Sequence, residues 1–377
     1  MAHQRAALTQ CLANGLELHT RPIAGRHTAA VALWWRAGRL HEDADASGAA
    51  HLLEHLVCEA LPTAALARWG GAVNGQSGRE WTVWHALLPA AAAPEFLTAL
   101  ARVLRAPLPP AARIAREARV LGVEIDAAAS RDRWEHSALA ACFGTHPLAR
   151  PLAVPPRPDH AGLANFRERL LTGPRLQVTA AGNVDPQALA AAIRSLGELP
   201  DHCPSGPVPP QLPPQLPSHP QIHRLRVAPA GALWLLPFAR ADAIPVAWLA
   251  DLLAHPLLGR LTCGLRTAAT PLYGLHSALE FCADIGLWWL WIDDEHAACA
   301  LEAAVEKALA DGFTATELTR VRALRRARQV VEREDLIAQL EVLAGARPAD
   351  TGRQPPPADL LRVLARCWNR RCRVQRG

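Results

Sequence analysis

The chain contains 377 residues, of which half are hydrophobic and one fifth are charged. This composition excludes a disordered polypeptide and is sufficient for two domains of ordinary size. The net charge of +5 is spread along the sequence without a long basic block, which argues against nucleic acid as the main partner.

Cysteine usage and hydropathy set the predicted compartment. The nine cysteines are an odd number and form no Cys-x-x-Cys pair, which argues against a disulfide framework and a structural zinc knot. The N-terminus lacks the apolar core of a signal peptide. No run of about 18 apolar residues occurs, so no membrane span is predicted. We therefore expect a cytoplasmic protein.

The first half of the chain predicts strands followed by helices. Residues 7–36 are typical of a hairpin or meander, with a turn at Asn14-Gly15 and an alternating strand in "AAVALWWRAG". A helix is predicted over residues 46–69, with Ser47 as its N-cap. The elements predicted after it are a Gly-Gly turn, a strand over 80–88, helices over 94–107 and 109–143, a strand over 175–184 and a helix over 185–199 capped by Asp185.

A proline-rich segment predicts the domain boundary. Residues 200–220 contain nine prolines, a composition typical of a stiff, extended linker. The alternative is a proline-rich recognition motif for a partner. We place a first domain at residues 1–199, the linker at 200–222 and a second domain at 223–377.

The second half partly repeats the order of elements. Its pattern predicts a strand over 231–239, a helix over 244–266, a strand over 286–294 and helices over 297–312 and 314–344. The fold class is therefore α+β, with two related α/β-sandwich domains built on mixed or antiparallel sheets. The second copy contains no counterpart of the motif described next.

Residues 51–55 read His51-Leu52-Leu53-Glu54-His55. On a helix, positions i and i+4 lie on one face, so both imidazoles can bind one ion. A catalytic zinc ion lowers the pKa of a water molecule, and Glu54 is placed to accept its proton and pass it to a leaving amine. The His-x-x-Glu-His order is that of inverzincins. The alternative is a chance pair of surface histidines, and the motif alone names no third ligand.

The motif and its surroundings resemble the pitrilysin/insulinase family of inverzincin metallopeptidases, which includes the mitochondrial processing peptidases and the peptidase linked to pyrroloquinoline quinone biosynthesis. The segment "REARVLGVEID" is similar to the family helix that supplies the third zinc ligand. The resemblance implies that Glu124 is this ligand. It also implies that Glu117, nearly two turns earlier on the same helix face, orients a histidine or the water. The alternative for Glu117 is a solvated helix charge.

Three further positions resemble the family's substrate-binding residues. "GGAVNG" resembles a turn and edge strand that hold the peptide as an added strand, with Asn74 near the metal. "LRTAATPLYGL" places Arg266 and Tyr273 seven residues apart, as in the family pair that binds substrate and the tetrahedral oxyanion. The alternatives are a turn asparagine, a surface arginine and a core tyrosine. Gly75 departs from the family, which usually has alanine there.

The resemblance implies a zinc-dependent endopeptidase that acts on short or unfolded peptides, with Zn²⁺ as cofactor. Family members form a clamshell of four such domains, and this chain provides two. A homodimer or a heterodimer with a partner of similar fold would complete it. Two other functions stay open: a maturase of leader or carrier peptides in a biosynthetic cluster of the quinone-cofactor type, and a non-catalytic scaffold subunit.

Cys58 lies one turn beyond Glu54 on the same predicted helix. Three roles are open for it. It could be a fourth metal ligand or a point of oxidative inactivation, or it could pack as a small apolar group.

Overall fold

The computed structural model describes residues 7–43, 46–70, 73–152, 154–156, 159–202, 215–225, 231–266, 274–282, 284–292, 297–350 and 352–376. Contacts divide the chain into two compact units. The first contains residues 1–128, 152–211 and 332–347, and the second contains residues 129–151, 212–331 and 348–377. Within the described part of the chain, no helix combines the length and the apolar character needed to cross a membrane.

The first unit is built on a six-stranded sheet in the order β1-β2-β6-β3-β5-β4. β2 and β6 are parallel, and all other neighbouring strands are antiparallel. The predicted turn at Asn14-Gly15 is confirmed, since Gly15 has a φ of +84° in the left-handed region that favours glycine. The strands are β1 (Leu8–Cys11), β2 (Glu17–Pro22), β3 (Thr28–Trp35), β4 (Val73–Ser77), β5 (Thr82–Pro89) and β6 (Leu176–Gly182).

The helices predicted for the N-terminal half occur in the predicted order. The cap at Asp185 is confirmed, because its carboxylate accepts a hydrogen bond from the Gln187 N–H at 2.9 Å. The segment 160–170, for which no helix was predicted, is also helical. The helices are α1 (Ala49–Ala60), α2 (Thr63–Arg68), α3 (Ala93–Arg105), α4 (Ala111–Phe143), α5 (His160–Leu170) and α6 (Pro186–Ala192).

The prediction of one helix over residues 46–69 was wrong. The helix is interrupted at Leu61-Pro62, where Leu61 adopts an extended conformation with ψ of 143°. Proline disfavours the helical conformation of the residue before it and has no N–H to donate. The prediction of Ser47 as N-cap was also wrong, since Gly48 in the left-handed conformation occupies that position.

The second unit is built on a five-stranded sheet in the order β7-β11-β8-β10-β9. Its strands are β7 (Gln221–Leu225), β8 (Ala232–Ala239), β9 (Leu275–Cys282), β10 (Ile285–Ile292) and β11 (Cys372–Arg376). The helices of the C-terminal half are α7 (Ala243–Ala254), α8 (Arg260–Leu265), α9 (Ala297–Asp311), α10 (Ala315–Glu334), α11 (Leu336–Leu343) and α12 (Pro357–Asn369).

The two sheets share one topology, which confirms the predicted relation between the two halves. β7-β11-β8-β10-β9 repeats β2-β6-β3-β5-β4, with one parallel pair at the same place and antiparallel pairs elsewhere. α7 follows β8 as α1 follows β3. The predicted helix over 244–266 is interrupted at His255-Pro256, and the one over 314–344 is interrupted at Asp335, which caps α11.

Two segments belong to a different unit from the residues on either side of them in the sequence. Residues 129–151 belong to the second unit and residues 332–347 to the first. α11 lies in the latter segment and packs on β3 and β6. For this reason β3 is buried from Ala29 to Trp35 instead of alternating between core and solvent. Residues 203–214 of the predicted linker lie outside the described residues, and the boundary at 200–222 stays a prediction.

A buried ion-pair cluster joins α7 to α10 in the second unit. The Asp251 carboxylate accepts a hydrogen bond from Arg325 at 2.7 Å, and Arg325 also donates to Asp350 at 2.7 Å. Asp251 and Arg325 are 6% and 8% exposed, respectively. Because Asp251 also pairs with Arg328, its removal would leave two arginines with Asp350 as the remaining carboxylate of this cluster, and so an excess of positive charge at a buried site.

We expect Asp251→Asn to lower the free energy of unfolding of this unit by about 3–5 kcal/mol. Urea unfolding followed by tryptophan fluorescence measures the change. Asp359→Asn is the matched control, because Asp359 pairs with Arg362 on the surface of α12, where such pairs contribute about 1 kcal/mol or less. Equal effects of the two substitutions would contradict a structural role for the buried cluster.

Candidate metal centre

The first turn of α1 is held by a carboxylate from the preceding loop. Glu42 accepts hydrogen bonds from the backbone N–H of Gly48 at 2.8 Å and of Ala50 at 2.9 Å. It is 4% exposed and forms an ion pair with the buried Arg39. Glu42 therefore performs the capping role predicted for Ser47 and fixes the start of the helix that carries the motif.

His51, His55 and Glu124 converge on one point. One ligand atom from each lies within 4.8 Å of the other two. Glu124 Oε2 is 3.4 Å from His55 Nε2, and Glu124 Oε1 is 3.7 Å from His51 Nε2. Among the described residues this is the group of side chains that could hold a metal ion. α1 supplies the two imidazoles one turn apart, and α4 brings the carboxylate.

Glu54 lies beside this group and against the edge strand of the sheet. Its Oε2 is 3.7 Å from His51 Nε2 and 4.0 Å from His55 Nε2. A Cβ atom on Gly75 of β4 would lie 2.1 Å from Glu54 Oε1, so glycine at this position leaves room for the carboxylate in its observed place. Since β4 is the last strand of the sheet, the backbone edge open to an added strand runs next to Glu54.

Glu117 of α4 approaches His55 from the Nδ1 side of the imidazole ring. Its Oε2 is 3.9 Å from His55 Nδ1, and its Oε1 accepts a hydrogen bond from Arg116 at 3.2 Å. Glu117 is 8% exposed, whereas the side chain of Glu124 is 57% exposed. The buried carboxylate therefore lies on the Nδ1 side of His55, and the exposed one on its Nε2 side.

Burial governs the charge states of the site. It lowers the pKa of His51, an effect that Glu124 partly offsets, and so favours the neutral imidazole that a metal requires. Burial also raises the pKa of Glu54, while the charge of His55 lowers it. A carboxylate with a raised pKa is better matched to accepting and returning a proton.

Cys58 contacts Glu54 rather than the metal group. Its thiol donates to Glu54 Oε1 at 3.6 Å, and it packs against the main hydrophobic core of the first unit. Burial and the Glu54 charge raise the pKa of Cys58 to about 12. Since the thiolate is the form that binds metal, these observations favour the third of the roles considered above.

Of the three predicted substrate-binding residues, Asn74 is described in the same unit as this group, and it does not join the group. Asn74 is exposed on β4 and pairs across the ladder with His85. Because neighbouring residues of a strand point to opposite faces, its side chain faces away from the sheet surface on which Gly75 meets Glu54. Arg266 is exposed at the end of α8, and Tyr273 lies outside the described residues.

Sequence reasoning missed two contributors to the site. Glu42 caps α1 across a loop that has no local capping pattern, so only the folded chain shows its role. The close approach of Gly75 to Glu54 joins a strand to a helix. Its one signal in the sequence is a glycine where the resembled family usually has alanine.

Comparisons with known proteins agree with this geometry. Residues 20–156 match the family model described as insulinase, peptidase family M16, and this range contains all three candidate ligands. An uncharacterized zinc protease of Mycobacterium bovis is 33% identical over 199 residues, which cover 48% of this chain and 45% of that protein. The chain thus spans less than half the length of this curated relative.

Solved structures share the fold across the whole chain. A protease from Helicobacter pylori has a TM-score of 0.80 at 16% identity, with 99% of each chain covered. An inactive domain of peptidase M16 from Pseudomonas fluorescens has a TM-score of 0.81 at 15% identity, with 98% of each covered. The periplasmic protease PqqL of Escherichia coli has a TM-score of 0.75 at 17% identity, with all of this chain and 48% of that chain covered.

The matched residues include the motif helix α1, the edge strand β4 and the part of α4 that carries Glu124. The structural neighbours match almost all of this chain, so the match includes both described sheets. Residues 20–156 of this chain thus form a domain that matches the insulinase family of peptidases, family M16.

Proposed function

We propose that the chain is a zinc-dependent endopeptidase in which His51, His55 and Glu124 hold the metal and Glu54 is the general base. The observation that carries this proposal is the convergence of three ligand atoms within 4.8 Å of one another. The buried carboxylate of Glu54 lies next to them. Bound zinc would supply Lewis acidity toward water and a peptide carbonyl.

The donor set fits zinc. Two imidazole nitrogens and one carboxylate oxygen are the ligands of a common catalytic zinc site, which leaves one position open. Tetrahedral zinc with bonds of about 2.0–2.2 Å places neighbouring donor atoms about 3.4 Å apart. Two different oxygens of Glu124 lie 3.4 Å and 3.7 Å from the two histidines, and the three ligand atoms lie within 4.8 Å of one another, so side-chain adjustment would bring one donor from each residue to zinc-ligand spacing.

The other side chains have distinct proposed roles. The Glu54 carboxylate takes a proton from the attacking water and delivers it to the leaving amine nitrogen. Glu117 orients His55 through its Nδ1 side. A peptide that adds to the β4 edge gains main-chain hydrogen bonds without strict sequence preference. Asn74 stays a candidate for holding that peptide, although its side chain lies on the other face of β4.

The partner proposal rests on the length of the chain. All of this chain matches 48% of PqqL, so we propose that a second copy completes the enzyme. In that assembly Arg266 and Tyr273 of one subunit would bind substrate at the other subunit's metal. A heterodimer with a partner of similar fold is the alternative. The odd cysteine number without Cys-x-x-Cys pairs supports a reducing compartment such as the cytoplasm.

A second candidate function is a non-catalytic scaffold, and it is favoured by the similarity to an inactive M16 domain. The His51, His55 and Glu124 cluster of this chain supports the peptidase instead. A specialised maturase of leader or carrier peptides would use the same chemistry, so it differs from a general peptidase in substrate alone.

The first prediction concerns metal content. The purified protein should bind about one zinc ion per chain, measured by elemental analysis and by titration. His51→Ala and His55→Ala should each lower the zinc affinity by more than about 100-fold, because losing a ligand costs more than the 10–100-fold effect of outer-shell changes. Glu117→Gln should fall in that smaller range. His27→Ala, an exposed histidine of the same unit, is the control. Full zinc retention in both ligand variants would remove the proposal.

The second prediction separates the base from the ligands. Glu54→Gln keeps the shape of the side chain but cannot accept a proton, so it should retain zinc while kcat falls by about 10²–10⁴-fold on a panel of unfolded peptides. Glu95→Gln, an exposed residue of α3, should leave both unchanged. A wild-type kcat in zinc-loaded Glu54→Gln would rule out this residue as the base.

The third prediction tests the shared site. Glu54→Gln and Tyr273→Phe homodimers should each be nearly inactive, with a loss of about 2.7–4 kcal/mol in transition-state stabilisation for Tyr273→Phe if it is an oxyanion donor. Mixing them with subunit exchange should restore roughly a quarter of the activity, because half of the dimers are mixed and each has one intact site. An active monomer by sizing would contradict the proposal, as would a lack of rescue. Activity that appears only with a different subunit would instead support the heterodimer.

A further inference from the structure

A cavity of about 410 Å³ lies behind the motif helix within the first unit. Leu53, Leu56 and Val57 of α1 line it. On a helical wheel these residues lie on the side of α1 opposite His51 and His55. A smaller cavity of about 310 Å³ adjoins it and shares Leu104, Arg167 and Leu171. The combined space is of the size that small-molecule sites have.

The walls of the larger cavity are mostly apolar. α1 contributes leucine and valine side chains, and α3 ends at this wall with Leu104. The four residues that lead into α4 are Pro107, Leu108, Pro109 and Pro110, and all of them line the cavity. Such walls offer ordered water few partners and favour aliphatic carbon.

Guanidinium groups provide the polar part of the cavity. Arg167 of α5 is half-buried, lines both cavities and donates to the Ala106 carbonyl at 2.6 Å. Burial lowers the pKa of Arg167, an effect that the charge of Glu168 partly offsets. In the described part of the chain, no carboxylate lies within ion-pair distance of Arg167 or of Arg102, which also lines the larger cavity, whereas Arg113 pairs with Glu59. Glu168, which lines the smaller cavity, interacts with Arg167 electrostatically without forming an ion pair with it. A partly desolvated guanidinium that has no ion-pair partner is a recognition group for an anion.

We propose that this cavity binds an unbranched aliphatic monocarboxylate of the fatty-acid class, with its carboxylate at Arg167 and its chain against Leu53, Leu56 and Val57. A neutral alcohol would leave the guanidinium uncompensated, and a cationic amphiphile would be repelled. A short polar anion such as acetate would leave the apolar walls uncovered. The combination of charge and apolar length therefore selects this class of ligand.

The inference does not rest on the proposed peptidase. None of the candidate metal ligands lines the cavity, so binding can be measured with the full chain after chelation of metal. Failure of this test would leave the zinc proposal untouched, and absence of zinc would leave this one untouched.

The test is isothermal titration with octanoate, decanoate and dodecanoate, each below its micelle-forming concentration. Affinity should rise about fourfold for each added methylene until the cavity is filled. Dodecanol and dodecyltrimethylammonium should bind at least about tenfold more weakly than dodecanoate, since a hydrogen bond to a charged group is lost. Affinity that is independent of chain length, or equal for the three dodecyl head groups, would overturn the proposal, as would a lack of binding by all carboxylates.

Two variants locate the bound ligand. Arg167→Gln should weaken dodecanoate at least about tenfold, whereas Arg119→Gln, an exposed arginine of α4 that does not line the cavity, should not. Ala60 lines the cavity from an exposed position at the end of α1. Ala60→Phe should narrow the cavity and therefore weaken the binding of dodecanoate more than that of octanoate. Unchanged binding in both Arg167→Gln and Ala60→Phe would show that the carboxylate binds elsewhere.

Discussion

The carboxylate of Glu42 holds the parts of the candidate site in register. It accepts hydrogen bonds from Gly48 and Ala50 at the start of α1. Its own loop is tied to the turn between β4 and β5, because the backbone N–H of Leu40 donates to the Arg79 carbonyl at 2.8 Å. The motif helix and the edge strand that passes Glu54 are therefore anchored through one segment. Such a buried carboxylate is stable only with partners, and Arg39 supplies the counter-charge.

The predictable part of the site is the part set by local geometry. His51, Glu54 and His55 follow from spacing alone, because one helical turn brings positions i and i+4 to one face. Glu124 required a family resemblance, since no local pattern links α4 to α1. The roles of Glu42 and Gly75 depend on contacts between a helix and a loop or strand. The sequence contains no signal for the role of Glu42, and its one signal for Gly75 is a glycine where the resembled family usually has alanine.

The fold, like the site, has a part that could be predicted from the sequence and a part that could not. Turns, proline interruptions and the Asp185 cap follow from backbone chemistry, so most strands and helices lie near their predicted places. The packing of α11 on β3 could not be predicted, because it joins segments from opposite ends of the chain. That contact also explains why β3 is buried on both faces: Val31 and Leu33 face the main core, while Ala30 and Ala32 face Leu336 and Leu340.

Repetition of one topology allows the two units to specialise. α1 and α7 occupy equivalent places after β3 and β8, but α1 turns histidines toward α4, whereas α7 carries Asp251 into an ion pair with Arg325. In the first unit the polar residues of this helix are free to serve chemistry because its other face, with Leu53 and Leu56, supplies the packing. In the second unit, by contrast, a buried polar residue of this helix, Asp251, contributes to stability. A duplicated fold can thus keep its architecture while, in the described part of the chain, only the first unit has a group of side chains that could hold a metal ion.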